Sequence, residues 1–168
     1  MGEARAAPQV GCIAIDSEQR VPIERPVVDR SASGGAALGA RYWEEVERSG
    51  HGLLRCRQSG AGVEVRLLGR VVLLAFGPPE IAVDAASVTC SYPIAGGRLA
   101  RCAGGAISLR QAGGDRLELS SAISGYVPRL AAGPGRRAWT GVLYHVQRRV
   151  HEAVGRRYFA RMVRGVGG

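Results

Sequence analysis

Between Gly52 and Pro128 apolar residues recur at every second position, whereas on both flanks they recur every three to four. A period of two sends alternate side chains to opposite faces of a strand. A period near 3.6 gathers them on one stripe of a helix. The chain therefore reads as a helix, a long run of short strands, and a second helix. Connections this short allow only antiparallel pairing, because a parallel pair needs a crossover of about a dozen residues or more.

Within the run, Leu54 and Cys56 alternate with Arg55 and Arg57, and Val63, Val65 and Leu67 alternate with Glu64 and Arg66. A turn over Ser59–Gly62 brings Arg57 opposite Glu64, a favourable cross-strand pair. Gly69 and Arg70 suit a two-residue type II′ turn, which wants glycine first. That register sets Val72, Leu74 and Phe76 on the face of Val63, Val65 and Leu67. Both faces of Val71–Phe76 are apolar, which predicts a central or covered strand. After Gly77–Pro79 the alternation resumes at Ile81 and Val83, then at Val88, Cys90 and Tyr92, with Pro93 as its stop. Further strands are expected at Arg98–Cys102, Gly105–Gln111 and Arg116–Ser124. The last two meet at Gly113–Asp115, with Arg110 opposite Glu118 and with Ile107 and Leu109 near Leu119 and Ser121. The glycine pairs at 96–97, 104–105 and 113–114 lie between strands, so they read as turns and not as a dinucleotide-binding loop.

The first flank predicts a helix over Leu38–Arg48, with Leu38, Tyr42, Trp43 and Val46 on one face, Glu44 and Glu47 pointing away, and Gly50 as its end. Trp139–Arg164 is the longest helical pattern. Leu143, Val146, Val150, Ala153 and Val154 form its buried stripe, Arg148, Arg149 and Arg156 its outer side, and Gly165 its end. Residues 1–37 are rich in Ala, Gly, Pro and Ser and read as a flexible arm, with one short strand at Val10–Ile15 and an irregular stretch over Asp16–Gly35. Residues 38–168 then form a single domain.

The expected architecture is α+β: an antiparallel meander of about seven to eight strands, curved into a half-open or closed barrel. A short helix precedes it and a long C-terminal helix covers its apolar concave face. In element order this resembles the helix-grip, START-related ligand-binding proteins. It is equally similar to a lipocalin-like barrel with a flanking helix.

With 168 residues, 46% hydrophobic and 22% charged, the chain has the proportions of one globular domain. Its longest wholly apolar run, Val71–Phe76, is six residues and cannot make a membrane-spanning helix. The N-terminus has no apolar signal-peptide core, so a cytoplasmic location is expected. Cys12, Cys56, Cys90 and Cys102 are too widely spaced for a zinc site and read as reduced, small hydrophobes. All 23 basic residues are Arg, and the net charge is +9. Residues 136–168 hold eight Arg and one acid, Glu152. In a chain without Lys or Asn this reads first as a solvated helix face. The alternative is a basic module for nucleic acid or anionic membrane, for which no binding motif is present.

Tyr144, Gln147, His151 and Tyr158 line one flank of the long helix's apolar stripe. Polar tips beside an apolar wall are what a small-molecule cavity uses. His151 changes charge near neutrality and is the candidate acid or base, and Tyr144 the candidate donor to a carbonyl or enolate oxygen. Gln147, Tyr158, Tyr42, Trp43, Tyr92 and Trp139 are the candidate ligand contacts. His51 and His145 are weaker candidates, and no nucleophilic triad is visible. The expected function is binding of an apolar polyketide- or terpenoid-like compound in an enclosed sheet cavity, with cyclisation, dehydration or isomerisation as the chemistry. It would need no metal, nucleotide or flavin, and a homodimer is compatible with it. A non-catalytic carrier using the same cavity is the alternative.

Overall fold

The computed structural model describes residues 14–113, 116–129 and 152–165. Eight strands form one sheet: β1 (Ile15–Pro22), β2 (Leu54–Ser59), β3 (Gly62–Leu67), β4 (Val71–Phe76), β5 (Glu80–Val83), β6 (Ser87–Gly96), β7 (Ala106–Ala112) and β8 (Glu118–Tyr126). Their order is β1-β8-β7-β6-β4-β3-β2, with β5 paired to β6. Helix α1 (Ala32–Ser49) lies between β1 and β2 in the chain, and α2 (152–164) follows β8. Every pair of described strands is antiparallel. The sheet is open, with β1 and β2 at its edges, so the half-open form of the expected architecture holds and the closed barrel does not. Among the described residues no helix is long and apolar enough to cross a membrane.

The stretch Asp16–Gly35, expected to be irregular, holds most of a strand and the start of a helix. β1 pairs with β8 from Ile15↔Tyr126 to Pro22↔Glu118. Ser17, Gln19 and Val21 are half-buried while Asp16, Glu18 and Arg20 are exposed. The period of two is present, but polar residues occupy most of the inner face, so hydrophobicity does not reveal it. α1 begins at Ala32 instead of Leu38 because Ser31 caps it: the Ser31 hydroxyl accepts the Gly34 N–H at 3.1 Å. Gly35 and Gly39 lie inside the helix where it presses on the sheet. A Cβ on Gly35 would meet Ile81 and Val88, and one on Gly39 would collide with the Tyr92 hydroxyl. These glycines mark close contact, not a loop.

The hairpin registers follow the sequence in part. Arg57 faces Glu64, and Val63 and Val65 face Phe76 and Leu74, as expected. The β3–β4 turn differs: Leu68 and Gly69 both adopt positive φ, +50° and +70°, and the Arg70 N–H reaches the Leu67 carbonyl at 3.0 Å. Two left-handed residues make a type I′ turn followed by Arg70, and a bulge beside Val65 restores the register. Arg110 faces Ser120, and Glu118 faces Ala112, because β7 runs on to Ala112 before the chain turns. Pro93 lies inside β6 and does not end it. Its carbonyl accepts the Gly77 N–H at 2.8 Å, at the point where β6 changes partner from β5 to β4. Its nitrogen faces that same gap, where no ladder hydrogen bond is needed. The strand expected at Arg98–Cys102 is a loop with a single bridge, Ala100 to Pro128. The chain there is held by the Leu99 N–H on the Leu73 carbonyl at 2.9 Å.

One core joins the sheet's inner face to both helices. Leu38, Tyr42 and Trp43 of α1 and Val154, Tyr158, Phe159 and Met162 of α2 are buried in it. Val154 is buried as the helical stripe predicts, and that stripe continues through Tyr158 and Met162 at helical spacing. After Ile23, whose N–H still reaches the Leu117 carbonyl at 2.9 Å, the chain leaves the ladder, and the buried side chain of Gln111 holds it. Its Oε1 accepts the Val27 and Val28 N–H groups at 2.7 and 3.1 Å, and its Nε2 donates to the Val28 carbonyl at 2.8 Å. Gln111→Leu keeps most of the volume and leaves three backbone groups unpaired. Each costs about 1–3 kcal/mol, so urea unfolding should show a loss of about 3 kcal/mol or more. A loss below about 1 kcal/mol would mean that the clamp does not hold this segment.

Candidate functional site

Four of the eight expected site residues come together. The Trp43 ring lies 4.8 Å from Phe76 and 5.2 Å from both Tyr42 and Tyr92, and Tyr42 lies 5.5 Å from Tyr158. All of the expected four are at most 4% exposed. They pack edge-on against one another, the arrangement that ring quadrupoles favour. The Tyr158 hydroxyl donates to the Leu38 carbonyl at 3.2 Å, which bonds α2 to α1. Trp139, Tyr144, Gln147 and His151 lie outside the described residues.

Burial sets the chemistry of this cluster. It pushes the Tyr92 hydroxyl up to about 12 and drives Tyr42 and Tyr158 upward as well. It also pushes the Cys56 thiol up to about 12, helped by the Glu47 charge. Such groups stay protonated near neutrality and act as neither base nor nucleophile there. Cys90 is buried as the alternation predicts, while Cys102 sits exposed in the loop after β6. At the β5–β6 turn the Asp84 carboxylate accepts from the Ser87 hydroxyl and from the Ala86 and Ser87 N–H groups, which hold its pKa below the usual carboxylate value. It is a turn residue.

A groove of about 560 Å³ opens where α1 meets the end of α2. α1 contributes Arg41, Glu44, Glu45 and Arg48, whose spacing of three and four puts them on one face. α2 contributes Tyr158, Arg161, Met162 and Arg164, with Gly165 beyond it. Glu45, Tyr158 and Met162 are buried and form the floor; the four arginines and Glu44 are exposed and form the rim. Sequence reasoning passed over this site. It placed Arg161 and Arg164 in a solvated cluster and Glu44 on an outer face. The one available signal was Glu45, an acid set between Tyr42 and Val46 on the apolar side of α1. Which face of α1 meets α2 is not written in either helix alone.

Glu45 is 5% exposed. Its Oε1 accepts the Ser49 hydroxyl at 3.5 Å, while its Oε2 is buried and accepts no hydrogen bond. The cations near Oε2 stand just out of bonding reach, with Arg161 Nε at 3.6 Å and Arg48 Nη1 at 3.8 Å. Arg48 Nη2 is likewise 3.6 Å from Glu44. Three ion pairs elsewhere close fully, at 2.7 Å for Arg66–Glu64 and 2.8 Å for both Arg55–Glu47 and Arg20–Glu18, while Arg20–Glu118 stays at 3.5 Å. Among the described residues Arg41 reaches the Met162 thioether, a weak acceptor, at 3.5 Å, and Arg164 Nε donates to its own helix at Ala160, 3.0 Å. No groove guanidinium is committed to a carboxylate at hydrogen-bond distance among the described residues. Trp43 Nε1 and Ser121 Oγ are also buried without hydrogen bonds, but neither lines the groove.

The raised tyrosines predict an alkaline limit. A hydroxyl that ionises near 10 in the unfolded chain and later in the folded one stabilises the fold below about pH 10, and that stability is lost as pH rises towards the folded value. Tyrosinate absorbance from three of the five tyrosines should therefore rise together with loss of circular dichroism, between about pH 10 and 12. Tyrosinate formation at the ordinary pH for all five, with the fold intact, would contradict this burial.

Among the described residues no three His, Cys, Asp or Glu side chains gather in a metal-binding arrangement. No protein-family model matches the sequence, and no curated protein matches it.

Proposed function

We propose that this is a non-catalytic small-molecule-binding protein on a helix-grip scaffold, and that it holds an anionic ligand in the α1–α2 groove. β1 supports the scaffold reading, since it supplies the strand that a helix-grip order requires before its first helix. The open sheet and the following helix supply the rest. The observation that carries the binding reading is the Glu45–Arg48–Arg161 arrangement. A buried carboxylate oxygen without a hydrogen bond is ion-paired with Arg161 and Arg48 at 3.6 and 3.8 Å, beyond hydrogen-bond length, so both guanidinium groups keep donors for a further anion. Ion pairs of that length offset the desolvation of a buried carboxylate only in part. Planar guanidinium forks match oxyanions bidentately. The groove volume also falls within the roughly 300–1,000 Å³ typical of small-molecule sites.

A second reading keeps the ligand apolar and the protein catalytic. A polyketide- or terpenoid-like compound would lie on the concave face and be cyclised, dehydrated or isomerised with His151 and Tyr144 as acid–base and donor groups. The convergence of Tyr42, Trp43, Tyr92 and Tyr158 on that face supports it.

Calorimetric titration with inorganic phosphate tests the first reading. Wild type should bind, and Arg48→Gln and Arg161→Gln should each weaken binding about tenfold or more, the usual value of a hydrogen bond to a charged group. Each variant removes one of the two cations beside the buried Glu45 carboxylate, so the melting temperature should fall while the fold is kept, which circular dichroism checks. Unaltered affinity in both variants would remove the ligand from the groove. Native mass spectrometry that recovers an apolar compound from the purified protein would favour the second reading.

A further inference from the structure

We propose that the end of the sheet formed by the α1–β2 loop and the β3–β4 turn docks on an anionic lipid surface. Leu53, Leu67 and Leu68 enter the apolar layer there, and Arg70 meets the headgroups. The proposal does not depend on the groove. Its first support is backbone strain. Among the described residues His51 and Leu68 are the two non-glycine residues with positive φ, at +48° and +50°. Both belong to this end, where the Leu68 N–H donates to the Leu53 carbonyl at 2.7 Å and the Leu53 N–H to the Gly50 carbonyl at 2.8 Å. Histidine enters the left-handed region more readily than leucine does. The first central position of a type I′ turn favours Asn, Asp or Gly, so Leu68 costs the fold stability there. It is also 62% exposed, so packing within the chain offsets little of that cost. A strained, exposed leucine that folding does not call for is explained by contact outside the chain.

The second support is the patch around it. Leu53 is 54% exposed and Leu67 37%, so three of the five exposed large hydrophobic residues among the described residues share this end. A Cβ added at Gly52 or Gly69 would meet nothing within 4 Å, so the tip stands clear of the rest of the fold. Three part-exposed leucines fall well short of the about 800 Å² per partner that a stable protein interface buries. A lipid surface needs no matching shape, because leucines enter its apolar layer while nearby cations stay among the headgroups. The third support is charge. Residues 48–63 and 65–79 build the tip and the strands leading from it, and they hold five arginines and no acid. Arg55 and Arg66 are held by Glu47 and Glu64 at 2.8 and 2.7 Å. Arg70, beside the turn glycine, is exposed and makes no ion pair among the described residues.

The test is co-sedimentation with vesicles of phosphatidylcholine alone and of phosphatidylcholine mixed with phosphatidylglycerol. Wild type should bind the mixed vesicles, and the neutral ones at least about fivefold less. Leu68→Asn suits the type I′ turn, so it should keep or raise the melting temperature while lowering binding to mixed vesicles about tenfold. Leu53→Gln, which leaves the turn untouched, should lower that binding severalfold. Arg70→Gln should lower it about fivefold, the contribution of one arginine at an anionic surface. Undiminished binding in both leucine variants would place the lipid contact elsewhere on this basic chain and overturn the proposal, as would failure of wild type to sediment. Self-association without vesicles that Leu68→Asn removes would make a second copy the occupant, and would overturn it too.

Discussion

The contact of Trp43 with Phe76 and Tyr92, extended through Tyr42 to Tyr158, joins three parts of the chain that are far apart in sequence. It fixes where α1 lies on the sheet and where α2 lies on α1. Large rings dominate core energetics through their area, and edge-to-face pairs add about 0.5–1.5 kcal/mol each beyond it. The glycines at 35 and 39 allow this contact by bringing the helix backbone down to Ile81 and Tyr92. Once Tyr158 is bonded to Leu38, the last turns of both helices lie side by side. The groove follows from that geometry.

The polar floor of the groove runs against what folding alone would select. An apolar side chain at position 45 would pack on Met162 and Tyr158 without any desolvation cost. Glu45 instead holds a charge 5% exposed, with partners slightly too far away to bond it well. The basic residues need less explanation, because cations near a helix C-terminus are favoured by its dipole, and Arg48 sits in the last turn of α1. The acid is the costly residue of the set. It therefore carries more of the functional argument than the arginines do.

Much of the sheet was legible in the sequence because its strands are half-buried and its turns short. Arg57 opposite Glu64 and Val65 opposite Leu74 follow from alternation and loop length alone, whereas β7 and β8 pair two residues away from the expected register. The misses have physical causes. β1 puts Ser17 and Gln19 on its inner face, so its pattern is one of burial and not of hydrophobicity. Pro93 continues a strand because the neighbouring strand changes at that point. The tight turn after β3 falls one residue early because Leu68 accepts a positive φ, which residue preference does not anticipate. Of the site, the aromatic residues were found by type, while the groove was not. It depends on how two helices meet, and periodicity within each helix gives no information about that.

The most direct test of this account is to map backbone amide shifts across the folded protein during titration with inorganic phosphate. Binding at the junction of the two helices predicts perturbations concentrated at 41–48 of α1 and 158–165 of α2, with the edge strand β2 and the β3–β4 turn unmoved. Shifts centred instead on the inner sheet face, at Val63, Val65 and Leu109, with α1 and α2 silent along the groove, would contradict it.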